Sequence, residues 1–211
     1  PDYKTEYYDN YQYNAYYNPE EAAEHLPDQG MYGSGNAFIL RYNGLYYMYM
    51  GSSNFGSSSL PCWKSEDLMT WEKADNGVNA QGFIAEDPRL SNTYPPCVRQ
   101  YNNVFYMYVY IKNDVIEQGN YILKADSPVG PFEFVTGTDG APVCYTIDAT
   151  TLNIDCDIFI DDNEDVYFMS GHQDNYFTGI RAFQMPTMDS VAYDENSYIN
   201  IAESSVGGWT E

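Results

Sequence analysis

The chain has 211 residues, 44% of them hydrophobic, 17% aromatic and 19% charged, enough apolar material for a packed core and far from a disordered composition. Nine Lys and Arg stand against 31 Asp and Glu, a formal charge of −22, so long-range repulsion argues against nucleic acid as a partner. No stretch approaches the roughly 18 consecutive apolar residues of a spanning helix, and a membrane is not an expected partner either.

Residues 1–30 read as an acidic, tyrosine-rich N-terminal arm, with one short helix expected over residues 19–25. From residue 31 onward, short alternating aromatic and aliphatic runs broken by Asn, Gly and Asp dominate, which is the pattern of an all-β chain. Three runs resemble one another: Ile39-Leu40-Arg41-Tyr42-Asn43-Gly44-Leu45-Tyr46-Tyr47-Met48-Tyr49, the run from Val98 to Tyr108, and the run from Ile158 to Met169. Each reads as a hairpin. The turns fall at Asn43-Gly44, at Asn102-Asn103 and in the loop from Asp161 to Asp165, residue types that accept positive φ or bond their own backbone.

The hairpins begin at 39, 98 and 158, spacings of 59 and 60. A second strand pair follows each: 61–65 with 71–72, 121–125 with 132–134, and 180–183 onward. Four strands recurring at this period mark the blades of a β-propeller. The blades are expected at about 31–80, 81–140 and 141–199, with 200–211 opening a fourth. Three blades and a fraction do not close a ring, so the remaining blades are expected from the rest of the polypeptide or from another subunit.

Cys62, Cys97, Cys144 and Cys156 contain no C-x-x-C pair, which argues against zinc and thioredoxin-like sites; two disulfides and four buried thiols both fit. The run Asp161-Asp162-Asn163-Glu164-Asp165 lacks the glycine and terminal glutamate of an EF-hand loop and reads as a solvated turn.

In a propeller the first strand of each blade lines the axis, and the residues just before each hairpin reach the funnel mouth. Here these are Gly35-Asn36-Ala37-Phe38, Tyr94-Pro95-Pro96-Cys97, Asn153-Ile154-Asp155-Cys156-Asp157 and Gly207-Gly208-Trp209-Thr210-Glu211. Asn36, Asp155 and Glu211 are expected to converge on one axis. Phe38, Tyr94 and Trp209 are candidate aromatic contacts for a sugar. His172 is a further candidate, with a hydrogen-bonded structural role as its plainer reading.

Taken together, Gly33-Ser34-Gly35-Asn36-Ala37-Phe38-Ile39, Ser65-Glu66-Asp67-Leu68-Met69-Thr70-Trp71, Tyr94-Pro95-Pro96-Cys97-Val98, Asp126-Ser127-Pro128-Val129-Gly130-Pro131-Phe132, Ile154-Asp155-Cys156-Asp157-Ile158-Phe159 and Gly208-Trp209-Thr210-Glu211 resemble glycoside hydrolase family 43 over about residues 31–211. The resemblance implies a five-bladed propeller and an inverting hydrolase of arabinose-, xylose- or galactose-containing glycans. It also implies an extracellular or cell-surface setting, no required cofactor, and a place for a structural calcium on the axis.

By position, the resemblance makes Glu211 the general acid and Asp155 the residue that raises and orients that acid. Asn36 falls where the family carries its general base, normally an Asp. An inverting enzyme needs a second carboxylate about 6.5–9.5 Å from the first to deprotonate water, and an amide cannot take that proton. Weak or absent activity is therefore expected. Three accounts fit: an Asp-to-Asn change made to trap substrate, drift to a non-catalytic glycan-binding or structural module of an extracellular assembly, or a substitute base such as Asp28 or Asp87.

Overall fold

The computed structural model describes residues 37–51, 58–78, 82–145, 152–173, 178–190 and 198–203, all within the unit Asn36–Glu211. The N-terminal arm and the helix expected over 19–25 lie outside the described residues.

All three sequence hairpins form. Strand β1 (Phe38–Tyr42) pairs antiparallel with β2 (Leu45–Tyr49) across a turn in which Asn43 and Gly44 take φ of 50° and 84°. Two positive φ values give a turn whose twist matches that of the strands it joins. The first strands of the next two hairpins are β6 (Cys97–Tyr101) and β11 (Leu152–Ile160); their partners are β7 (Val104–Ile111) and β12 (Val166–Gln173). Asn102 and Asn103 repeat the positive-φ turn at 48° and 63°. In the third hairpin the Asp161 carboxylate accepts the N–H groups of Asn163 and Asp165, both at 2.9 Å, so the acidic run is a self-bonded turn.

The third strand of each sheet is β3 (Ser59–Ser65), β8 (Gly119–Ala125) or β13 (Thr178–Met185). The outer edge differs from the simple four-strand expectation. In the first sheet it comes in two pieces, β4 (Glu72–Lys73) and β5 (Phe83–Glu86), each paired with a different part of β3. In the second, β9 (Glu133–Phe134) and β10 (Cys144–Tyr145) divide β8 in the same way. The first blade therefore reaches Glu86 and the second Tyr145, beyond the limits of 80 and 140 drawn from spacing.

Strand β14 (Ile199–Glu203) pairs with β13 and completes the third sheet, where the sequence spacing had placed the opening of a fourth blade. Arg181 fixes it there: Nε donates to Asn200 Oδ1 at 3.1 Å, and the guanidinium lies 4.2 Å from the Tyr198 ring centroid.

The core follows the strand period of two. Phe105, Met107, Val109 and Ile111 on β7 point into a cluster shared with Tyr47, Tyr49 and Leu60 of the first sheet. Tyr108 on the same strand faces the other way, into a cluster with Cys156, Ile158 and Phe168 of the third. The middle sheet is thus packed on both faces, as a blade between two blades must be. Each fully buried large side chain contributes roughly 1.5–3 kcal/mol.

One hydrogen bond repeats at both junctions. The buried Tyr49 hydroxyl donates to the Pro128 carbonyl at 2.8 Å, and the buried Tyr108 hydroxyl donates to the Met188 carbonyl at 2.6 Å. The two tyrosines occupy equivalent register positions, opposite Phe38 and Cys97, and the third equivalent, opposite Asp157, is Met169. Tyr108→Phe keeps the ring and orphans a carbonyl, so it should cost about 1–3 kcal/mol. Urea denaturation checks this: the midpoint falls and the slope stays constant.

The Ser65 to Trp71 segment is a bonded turn between β3 and β4. The Asp67 carboxylate accepts the N–H groups of Thr70 at 2.7 Å and Met69 at 2.8 Å, and Ser65 Oγ accepts that of Leu68 at 2.9 Å. The Thr70 and Met69 N–H groups hold Asp67 below its ordinary pKa. Because the folded value is depressed, this contribution is complete above the unfolded value of about 3.9 and is lost as pH falls through the folded one. In an NMR titration the Met69 and Thr70 amides should move with a midpoint below about 3.9, while the Gly44 amide stays in place.

Candidate functional site at the inner strands

The first strands of the three sheets stand side by side, β1 beside β6 and β6 beside β11. One guanidinium joins them. Arg99 on β6 pairs with Asp157 of β11, Nη2 to Oδ1 at 2.5 Å, and its Nε donates to the Ile158 carbonyl at 2.9 Å. Its Cζ lies 4.8 Å from the ring centroid of Phe38 on β1. Asp157 Oδ1 also accepts from Cys97 Sγ at 3.0 Å and from the Ile158 N–H at 2.7 Å.

Asp155 sits two residues before this junction. The β11–β12 register shifts between Ile154 and Asp157, and at that bulge Asp155 takes φ of 55°. Asp tolerates the left-handed region better than most residues, and bulges re-aim side chains. Asp155 is half-buried. Asp157, read from sequence as structural, is the carboxylate that ties the third blade to the second.

The other expected site residues fare differently. Phe38 is half-buried with Arg99 against its ring. Tyr94 packs edge-to-face on Tyr110, ring centroids 5.3 Å apart, and its N–H donates to the Tyr110 carbonyl at 2.9 Å. His172 lies in β12, in register with Asn153 and Gly179. Asn36, Trp209, Glu211 and Asp28 lie outside the described residues.

Asp87, weighed as a substitute base, follows β5 on the outer edge of the first sheet. It caps a 3₁₀ turn (Pro88–Leu90) and binds Arg89 through both oxygens, at 2.9 and 2.7 Å. Those Arg89 hydrogen bonds hold its pKa down, which makes it a poorer base, and its place on the rim removes it from the axis.

Arg99 was missed in the sequence. The available signal was a lone Arg at the register position that holds Leu40 in the first blade and Phe159 in the third.

Cys62, Cys97 and Cys156 are buried free thiols. Burial pushes Cys156 up to about 12 and raises the thiols of Cys62 and Cys97 from their ordinary value, so they stay protonated and unreactive at neutral pH. The described residues at the junction do not fit a calcium ion. The Asp157 carboxylate is already occupied by the guanidinium, and no group of three or more His, Cys, Asp or Glu among the described residues is arranged to hold a metal.

Residues 34–211 match Glycosyl hydrolases family 43. The chain belongs to that family. A xylosidase/arabinosidase from Butyrivibrio fibrisolvens is 25% identical over 146 residues, which are 68% of this chain and 24% of that protein. A crystal structure of a thermostable family 43 glycoside hydrolase superposes with a TM-score of 0.62 at 20% identity, over 85% of this chain and 56% of the other. An alpha-L-arabinofuranosidase from Clostridium thermocellum gives 0.58 at 21%, over 85% and 60%. An endo-1,4-beta-xylanase from Bacteroides thetaiotaomicron gives 0.59 at 20%, over 80% and 52%. These structures share the propeller fold of the family 43 chain, which spans about a quarter of the curated relative and somewhat over half of each solved structure.

Proposed function

We propose that this family 43 chain forms the axial part of an inverting glycoside hydrolase for arabinose-, xylose- or galactose-containing glycans. The observation that carries the reading is the placement of Asp155: an acidic side chain on an innermost strand, at a bulge beside the point where three blades meet. In this reading Glu211 protonates the leaving oxygen, and the Asp155 carboxylate favours the protonated acid by like-charge repulsion and orients it. Asn36 stands at the base position and leaves the attacking water without a proton acceptor. Tyr94, Trp209, Phe38 and His172 contribute to the sugar-binding surroundings.

Further blades complete the cavity. Ile39 on the first sheet is 45% exposed, and Phe159 and Ile199 on the third are 52% and 57% exposed, apolar surface of the kind one blade covers on another. The acidic surface and the glycan substrate suit work outside the cell.

The test is reducing-sugar release from arabinoxylan and from galactan by the intact protein, with the anomer of the first-formed product followed by NMR. Slow release with inversion supports the reading; release with retention overturns it. A second reading, a non-catalytic glycan-binding or structural module, is favoured by one observation, the amide at position 36.

A further inference from the structure

A cleft of about 550 Å³ opens on the outer rim between the first and second blades, within the usual range of ligand clefts of about 300–1,000 Å³. It lies between β5 with its 3₁₀ turn and β9. These are outer strands, separated from β1 and β6 by three strand spacings, or about 14 Å. The cleft is therefore distinct from the axial site.

Its floor exposes apolar surface from Phe83, Pro131 and Phe134, laid over the buried Ile84, Leu90, Leu123 and Phe132. The floor is also fastened: the Phe132 N–H donates to the Ile84 carbonyl at 3.0 Å, joining the backbones of two blades. Gly130, at φ 75°, permits that approach, since a Cβ there would stand 2.5 Å from the same carbonyl oxygen. Along the wall, Arg89 is held on one side by both oxygens of Asp87 and on the other by the Phe134 ring, 4.3 Å from Cζ. That leaves Nη1 as a positioned donor. Glu133, exposed, and Thr136 add acceptors and a hydroxyl.

The chemistry selects a ligand class. Three carboxylates, Glu86, Asp87 and Glu133, against one guanidinium disfavour an anion. An apolar floor bordered by a fixed planar donor and by acceptors matches a sugar ring, which has a C–H face and hydroxyls on its edge. We propose that this rim cleft is a second, non-catalytic binding site for a neutral glycan chain, holding the polymer while the axis works on another part of it. The choice of ligand rests on the hydrolase reading; the site itself does not.

Electrophoresis of the intact protein through gels containing arabinoxylan or β-1,3-galactan, with amide shift mapping by oligosaccharides of each, tests this. The polymer that retards migration distinguishes a pentosan from a galactan ligand. Arg89→Gln should weaken retardation about tenfold, the value of one charge-assisted hydrogen bond. Glu133→Gln, on an exposed side chain that the fold does not need, should weaken it in the same direction. The shifted amides should include Ala85, Leu90 and Phe134. Retardation equal to wild type in both rim variants, shifts confined to the axis, or no retardation by either polymer would overturn the proposal. Rim binding without any hydrolysis, even in Asn36→Asp, ends the hydrolase reading and leaves the rim site standing. Hydrolysis without rim shifts does the reverse.

Discussion

Asn36→Asp should raise the rate of glycoside hydrolysis by about 10²–10⁴-fold, the usual value of a positioned general base. Residue 36 stands two positions before β1 in the chain, and β1 is the innermost strand of the first blade. A carboxylate there can accept the proton of the attacking water, which the amide cannot. The measurement is kcat/KM on aryl arabinofuranosides, xylosides and galactosides across pH. The gain should come with a new acidic limb: activity rises as the introduced Asp loses its proton, then falls as the general acid loses its own. An unchanged rate with glycan binding intact would support the non-catalytic reading instead.

Gly51→Ala should lower stability by about 3 kcal/mol, at the upper end of overpacking costs. Gly51 follows β2 and lies against the segment that leads into β6. A Cβ there would stand 2.4 Å from the Thr93 carbonyl oxygen and 2.6 Å from the Tyr94 carbonyl carbon. Both are backbone atoms, so relief requires moving the second blade relative to the first. At this chain length each kcal/mol shifts Tm by roughly 2–4 °C, so a fall of roughly 6–12 °C is expected in calorimetry. Gly44→Ala is the control. Gly44 has φ of 84° and nothing within 4 Å of its Cβ position, so its cost is backbone strain alone, about 1 kcal/mol. Equal shifts in the two variants would remove the steric argument.

The hairpins were legible in the sequence because each is local: a period of two, a turn of Asn and Gly, and a partner a few residues away. The outer pieces at Glu72 and Glu133–Phe134 were legible too, as near partners of 61–65 and 121–125, whereas Phe83–Glu86 and Cys144–Tyr145 were not, because each returns to the free edge of β3 or β8 over a longer loop. The Ile199–Glu203 run was visible as a strand, but its neighbour was not, since alternation says nothing about which sheet takes it. Arg99 and Asp157 are 58 residues apart, and Tyr108 and Met188 are 80 apart; such pairs are fixed only when blades pack. Asp87 offered a local warning, an Arg two positions on, that its carboxylate was already engaged. Asp155 was found through motif order, and its positive φ appears only in three dimensions.

The tyrosine bonds at the two junctions act as angular stops. A hydroxyl that must meet one carbonyl oxygen lets a sheet pivot only slightly before the bond is lost. On the outer face of the third sheet the same position is Met169, whose thioether donates nothing and bends to suit its surroundings. Any surface that settles there is located by shape rather than by direction, so that face can accept a neighbour over a wider range of tilts than the two junctions before it.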